Sequence, residues 1–290
     1  MKRFLRELIG FLLIQVSYVF KTDKEGILSI YLHYPSKSLF EKIIKWLVSK
    51  GYRFISVTEL ENSIKSKSVT GKMVFVSLDD GWRSNLELVD LIEKYNVPLT
   101  IFIPTEAVEE GNYWWEFASI KGQEEYTGIK RREDFKKLPE NEFREKIAIL
   151  KQHYTLPRSC ITLEELKILD KHILITLGSH TVTHPVLDRC SAESQKIELS
   201  ESKRILGQWL NKEVEYFSYP NGDFDEKTIE IARECGYRLC FTIKPGKIDV
   251  NNINPYLIPR NAMYENAGIF ENTSKILGIW QRITPEGIKR

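Results

Sequence analysis

Apolar positions along the chain alternate between two periods. Ile27 to Leu32, Phe54 to Val57, Met73 to Leu78, Pro98 to Ile103, Ile173 to Leu177, Val214 to Ser218 and Tyr237 to Thr242 are short runs rich in β-branched and aromatic residues, the pattern of buried strands. A last strand is expected near Tyr256 to Ile258. Between the runs, apolar residues recur at helical spacing. Leu39, Phe40, Ile43, Ile44 and Leu47 predict a helix that Gly51 stops, and Leu88, Leu91 and Ile92 a helix running from an N-cap at Ser84 to about Tyr95. Thr58 is expected to cap a brief helix and Thr162 one reaching Leu169. Ser191 to Leu210 and Glu226 to Cys235 complete the series. Strand and helix in turn argue for a parallel sheet, open or closed into a barrel.

Two stretches depart from that rhythm. Thr105 to about Ser159 carries Trp114 and Trp115, a polar run from Lys121 to Lys137 and a helical segment near Glu142 to Gln152. A connection this long inside an α/β chain is a functional lid or insertion. The paired tryptophans suit either a wall for stacking sugars or an anchor of the loop to the core. The other stretch, Met1 to Phe20, is the most apolar, with Arg3, Arg6, Glu7, Gly10 and Ser17 on one side of a helix. Its uninterrupted apolar part falls short of the roughly 20 residues a membrane span needs. Lys2, Arg3 and Arg6 resemble the basic start of a signal peptide, but Glu7 and Gln15 fit poorly and no small-residue cleavage site precedes Lys21. A helix lying on a membrane surface is the preferred reading; a helix packed on the protein's own body and a signal or anchor are the alternatives. The expected organisation is therefore a helical segment over residues 1–22 and a single body over 23–290, interrupted by an insertion at about 105–160. No repeat or linker divides that body.

Charge adds mainly exclusions. Lys and Arg number 42 against 40 Asp and Glu, a net charge of +2, so nothing points to nucleic acid or to a strongly basic partner. Hydrophobic residues at 42% and charged residues at 28% are ordinary for a globular protein. The four cysteines, Cys160, Cys190, Cys235 and Cys240, form no Cys-x-x-Cys pair, which favours a reducing, cytoplasmic setting over a disulfide scaffold.

Candidate chemistry sits where strands end. The Met73 to Leu78 strand stops at Asp79-Asp80-Gly81, the next strand but one at Ser179-His180-Thr181-Val182-Thr183-His184, and a later one at Tyr219-Pro220-Asn221-Gly222. In a β/α architecture the C-terminal strand ends share one face, so residues a hundred apart in sequence meet. Two imidazoles and a carboxylate make a facial metal site with positions left open for water and substrate. Period two, however, sends Asp79 and Asp80 to opposite faces, so the chain must bend at Asp80-Gly81 for both to reach one site.

Leu78-Asp79-Asp80-Gly81 and Ser179 to His184 resemble the first two motifs of the polysaccharide deacetylases, the NodB-homology or carbohydrate esterase family 4 proteins. Tyr216 to Gly222 is similar to the third motif in a Tyr-Pro-x-Gly variant. The resemblance covers roughly residues 27 to 260 and implies a distorted (β/α) barrel and a metal-dependent hydrolase that removes acetyl groups, usually N-acetyl groups, from sugars. It implies Asp79 as catalytic base and Asp80, His180 and His184 as ligands of a divalent metal, Zn2+ first, with Co2+, Ni2+ or Mn2+ as alternatives. The expected partner is an N-acetylated surface glycan or its lipid-linked precursor, reached by peripheral contact of residues 1–20 with a membrane.

The chemistry is consistent with those roles. Hydrolysis of an acetamide needs an activated water and a stabilised oxyanion, both of which a metal site supplies, and a carboxylate beside the ligands to take a proton. The Tyr219 main-chain N–H is the candidate oxyanion donor, since Pro220 has none. The family's usual Arg-x-Pro-Tyr is changed here, with Ser218 where its Arg would stand. Arg260, in Ile-Pro-Arg, is either the replacement partner of the base or a surface residue. The family's late Leu-x-His, often the general acid, is missing as well. His33, ending the first strand, is a candidate for that role or else a structural residue; Asp79 returning its proton would need no separate acid. Three other functions stay open: a non-catalytic carbohydrate-binding relative, an O-acetyl esterase and a deformylase. A glycosidase fits poorly, because adjacent carboxylates cannot face each other across a glycosidic bond.

Overall fold

The computed structural model describes residues 2–20 and 26–280. Helix α1 (Lys2–Phe20) precedes β1 (Ile27–Leu32), α2 (Lys37–Ser49), β2 (Arg53–Ile55), α3 (Val57–Ser66), β3 (Met73–Leu78), α4 (Val89–Tyr95) and β4 (Leu99–Ile103). The connection that follows holds α5 (Thr105–Glu110), α6 (Trp114–Phe117), α7 (Glu124–Thr127), α8 (Arg132–Phe135) and α9 (Glu140–His153). The alternation then resumes with α10 (Leu163–Asp170), β5 (Ile175–Ser179), α11 (Ala192–Leu210), β6 (Tyr216–Ser218), α12 (Glu226–Glu234) and β7 (Leu239–Phe241), before β8 (Lys247–Ile248), β9 (Asn261–Ala262) and α13 (Ile269–Ile276).

The strands form one curled sheet in the order β7-β6-β5-β4-β3-β1-β8, with β2 also on β3 and β9 on β1. Every pairing is parallel except β1 with β8. Parallel strands buried on both faces need apolar side chains on both, which explains the unbroken apolar runs. Leu28, Ile30, Leu32, Val74, Val76 and Leu78 pack outward against Leu39, Phe40, Ile43, Ile44 and Leu47 of α2. Ile27, Phe75, Phe102, Tyr216, Leu239 and Phe241 face the opposite way, into the concave side of the sheet. On β3 that concave set runs Met73, Phe75, Ser77, and the next member by period two is Asp79.

Several boundaries differ from expectation. Ser84 is no N-cap: Arg83–Leu88 is a 3-10 turn that begins directly after the left-handed Asp80-Gly81 reversal, and the α-helix starts only at Val89. Ser56, not Thr58, caps α3, because its hydroxyl accepts the Glu59 N–H while the Glu59 carboxylate accepts the Ser56 N–H. The strand expected at Tyr256 to Ile258 reduces to a bridge from Ile258 to Phe241, and β8 and β9 lie on either side of it.

The β4–β5 connection carries its own small core of Trp114, Phe117, Phe135, Ile147 and Leu150. Helix α1 docks on α13. Gly10 lets the two backbones approach, since a Cβ there would lie 2.6 Å from the Phe270 carbonyl carbon. The Glu7 carboxylate accepts the main-chain N–H groups of Phe270 and Glu271 at the start of α13, and Arg6 pairs with Glu271. Packing on the body, the second of the three sequence readings, thus describes one side of α1. The other side exposes Phe4, Leu5, Leu8, Phe11 and Leu12, with Phe4 76% accessible. Among the described residues no helix is long and apolar enough to cross a membrane. The boundary expected between residues 22 and 23 lies outside the described residues.

Candidate active site

Asp79 continues the concave face of β3, with its N–H donated to the Leu32 carbonyl at 2.9 Å. The next residue would point outward, but Asp80 takes φ +75° and Gly81 φ +66°. That left-handed reversal swings the Asp80 carboxylate back over the strand end, and Gly81 is required there because a Cβ would meet the Ile103 side chain at 2.7 Å. The geometric conflict between adjacent carboxylates is resolved by two residues of positive φ.

His180 ends the concave set of β5, and Gly178 below it makes room for the Phe102 ring. Its Nδ1 donates to the Ser218 carbonyl at 2.7 Å, an acceptor only, which leaves Nε2 with a free lone pair. The following turn is tied by Glu198 of α11, whose carboxylate accepts the Val182 and Thr183 N–H groups, each at 2.9 Å, and the Thr183 hydroxyl at 2.7 Å. With Thr181 at φ +68° and His184 at φ +55°, the turn brings the second imidazole back beside the first, ring centroids 4.7 Å apart. The Trp114 indole N–H, donated to the His184 carbonyl at 2.9 Å, holds its far end.

One ligand atom from each of Asp80, His180 and His184 lies within 4.8 Å of the others, and all three residues are buried. Asp80 Oδ1 is 3.5 Å from His180 Nε2 and 3.4 Å from His184 Nε2, and no protein group donates a hydrogen bond to it. An orphaned carboxylate oxygen facing two imidazole lone pairs fits a divalent cation. The charge states fit too. Burial opposes ionisation of Asp80, but the adjoining imidazoles of His180, His33 and His184 favour the carboxylate and hold it well below the usual range. Burial pushes His184 down to about 3, so that its imidazole is neutral as a ligand must be.

Arg260 is fully buried, which excludes the surface alternative. It meets Asp79 through two parallel bonds, Nη1 to Oδ1 at 2.7 Å and Nη2 to Oδ2 at 2.8 Å. Nη1 also donates to the Ser77 hydroxyl, Nη2 to the Ser218 hydroxyl and Nε to the Thr242 carbonyl. The guanidinium lies 4.4 Å from the Tyr31 ring centroid. Burial alone would raise the Asp79 carboxyl; the Arg260 charge outweighs it and keeps the group lowered. His33 lies at the end of β1, partly exposed, with Nδ1 3.6 Å from the Glu265 carboxylate. Burial works against its protonation, yet Glu265 and the charges of Asp80 and Asp79 bring it up to about 9.

Tyr219 needs correction. Its main-chain N–H donates to the Phe241 carbonyl at 3.1 Å as part of the β6–β7 pairing, so it is not available to an oxyanion. The turn leaves the ladder one residue after Pro220, at Asn221, which adopts φ +55°. Lys136, reaching in from the β4–β5 connection, donates to Asn221 Oδ1 at 2.7 Å. Sequence reasoning missed Glu198, Glu265, Lys136, Tyr113 and the contact of Trp82 with Asp80, since none carries a spacing that marks it. Trp114 is buried as a loop anchor, whereas Trp115 is half-buried and stacked on Tyr113, 4.6 Å from the His184 ring.

Comparison with known proteins agrees with this geometry. The family model for polysaccharide deacetylase matches residues 66–240, more than half of the chain. The chain belongs to the polysaccharide deacetylase family. YxkH of Bacillus subtilis, named for the same family, is 23% identical over 237 residues, spanning 78% of this chain and 68% of that protein. The poly-β-1,6-N-acetyl-D-glucosamine N-deacetylase of Staphylococcus aureus is 23% identical over 269 residues, 89% of this chain and 75% of its own. Among solved structures, the Streptococcus pyogenes deacetylase PplD superposes with a TM-score of 0.65 at 19% identity, covering 88% of this chain and 99% of that one. IcaB from Ammonifex degensii gives 0.61 at 20% identity, covering 88% and 98%. Like other polysaccharide deacetylases, this one is a metal-dependent hydrolase, and the Asp80, His180 and His184 cluster could hold a metal ion. A non-catalytic relative would be expected to have a broken set of ligands, whereas here the three candidate ligands lie together.

Proposed function

We propose that this protein removes N-acetyl groups from an N-acetylglucosamine-containing surface glycan, with Zn2+ as its ion. The observation that carries this reading is the cluster of Asp80, His180 and His184, three candidate ligand atoms within 4.8 Å, beside a fully buried and ionised Asp79. A divalent ion held there supplies Lewis-acid activation of water and of the acetyl carbonyl. Asp79 takes the proton of the attacking water, and Arg260 holds its carboxylate in position and ionised. His33 donates a proton to the departing amine, which is a poor leaving group until protonated, while Glu265 orients the imidazole. The main-chain N–H of Asn221, beyond the β6–β7 pairing and braced through Lys136, takes over the oxyanion role expected of Tyr219. The half-buried face of Trp115 offers a sugar ring a surface on which to stack.

Support for the substrate comes from the Staphylococcus aureus relative, whose name gives poly-β-1,6-N-acetyl-D-glucosamine as its substrate. The exposed apolar side of α1 supports peripheral contact with a membrane, at whose cytoplasmic surface a lipid-linked or nascent glycan would be presented. The test is acetate release from β-1,6-linked N-acetylglucosamine oligomers, measured with zinc content. Wild type is expected to release acetate. Asp79→Asn is expected to keep its zinc and lose ~10²-fold or more in kcat, while His184→Ala loses both. Release from O-acetylated glycans but not from the N-acetylated oligomers would overturn the N-acetyl reading in favour of an esterase.

A further inference from the structure

The carboxylate of Asp80 has two oxygens, and they have different surroundings. Oδ1 faces the two imidazoles and receives no hydrogen bond. Oδ2 accepts the indole N–H of Trp82 at 3.0 Å. A carboxylate whose second oxygen is engaged by a neutral donor binds an ion through one oxygen, and that donor sets the direction of the remaining lone pairs. Trp82 has little freedom to turn away. Its ring lies 4.8 Å from Tyr34 and 4.6 Å from Tyr113, centroid to centroid, and its backbone bridges to Cys160 at the far end of the β4–β5 connection. Tyr113, from the start of that connection, holds the same ligand from behind: its hydroxyl donates to the Asp80 main-chain carbonyl at 2.9 Å. That bond braces the residue whose positive φ turns the carboxylate into the site.

We propose that Trp82 and Tyr113 are positioning residues that form an aromatic clamp on Asp80, fixing it as a single-oxygen ligand in its left-handed backbone conformation. The inference rests on the metal-site reading given above. It makes the β4–β5 connection part of the metal centre, since Tyr113 and the partner of the Trp82 backbone both belong to it. It also couples the ligand to the half-exposed aromatic face formed by Trp82, Tyr34 and Trp115.

The test is Zn2+ affinity of the full chain by chelator competition, together with X-ray absorption of the Co2+-loaded protein. Trp82→Phe keeps an aromatic side chain but loses the indole N–H together with the five-membered ring that carries it; Tyr113→Phe removes only the hydroxyl. Each is expected to weaken Zn2+ binding by ~10–100-fold, the usual effect of losing an outer-shell partner. In Trp82→Phe the carboxylate is expected to shift from one-oxygen to two-oxygen coordination. Melting temperatures of the metal-free variants report whether the fold has been kept. Affinities within two-fold of wild type for both variants, with unchanged coordination, would overturn the clamp while leaving the metal site standing. His184→Ala binding Zn2+ as tightly as wild type would overturn the metal site itself, and the clamp with it.

Discussion

Arg260 donates all five of its N–H groups, to Asp79, Ser77, Ser218 and Thr242, on the concave side of the sheet and away from water. A buried ion pair of this kind contributes little net stability as a pair, but removing one partner strands the other. Arg260→Met is expected to destabilise the fold by ~3–5 kcal/mol in chemical denaturation. Its catalytic signature is separate. Asp79 loses the charge that keeps it lowered, so the base becomes protonated at higher pH than before. The acid limb of the kcat/KM profile should therefore move upward, and an unmoved limb would mean that Asp79 is not the titrating base. His33 gives the opposite limb. An acid must be protonated to act, so kcat is expected to fall as pH rises through the His33 value, near 9 without metal and lower when a bound cation offsets Asp80 and Asp79. Glu265→Gln removes the hydrogen-bonded carboxylate that raises that value, and the basic limb should shift to lower pH.

Individual elements act on the site mainly through what they hold in place. Helix α11 contributes the Glu198 carboxylate that ties the turn between the two imidazoles, and the β4–β5 connection contributes Lys136, Trp114, Trp115 and Tyr113 around the strand ends. Helix α1 is different, since its packing partner is α13 and its outer side bears apolar residues. Replacing Phe4, Leu5 and Leu12 together by Ser is expected to leave acetate release from a soluble oligomer within two-fold of wild type, because these side chains face away from the body. The same variant should lose cosedimentation with vesicles carrying anionic lipid. Retained vesicle binding would remove α1 from the membrane contact. Deleting residues 1–20 is a harsher change, as it strips the Glu7 carboxylate from the start of α13 and uncovers the α13 face; a lower melting temperature is expected from it.

At the scale of the whole molecule, the three proposed ligands come from two strand ends about a hundred residues apart, so an ion bound between them would join distant parts of the chain. A ligand that binds only the folded state stabilises it by ~4 kcal/mol at a thousand times its dissociation constant, or at least ~5 °C in melting temperature for a chain of this size. Zn2+ is expected to produce such a shift in the wild type and none in His184→Ala. Much of this arrangement was legible in the sequence. Apolar runs bounded by turns gave the parallel strands, since burial on both faces demands them, and polar residues at successive strand ends can only gather on one side of a parallel sheet. Asp79, Asp80, His180 and His184 stood out for that reason, with Arg260 and His33 as open candidates. The boundaries at Ser84 and Tyr256 were misjudged because local propensity does not register a left-handed reversal or a two-residue pairing, and the cap at Thr58 because the Ser56–Glu59 capping box starts the helix two residues earlier. What only tertiary structure decided was the availability of each group. The Tyr219 N–H belongs to the β6–β7 ladder, Arg260 is buried against Asp79, and Trp82 turns its N–H onto a ligand two residues away. Sequence specifies which donors and acceptors exist and roughly where the chain carries them. Which of them remain free depends on neighbours brought in from elsewhere, because a hydrogen bond is spent on whichever partner folding places within about 3 Å.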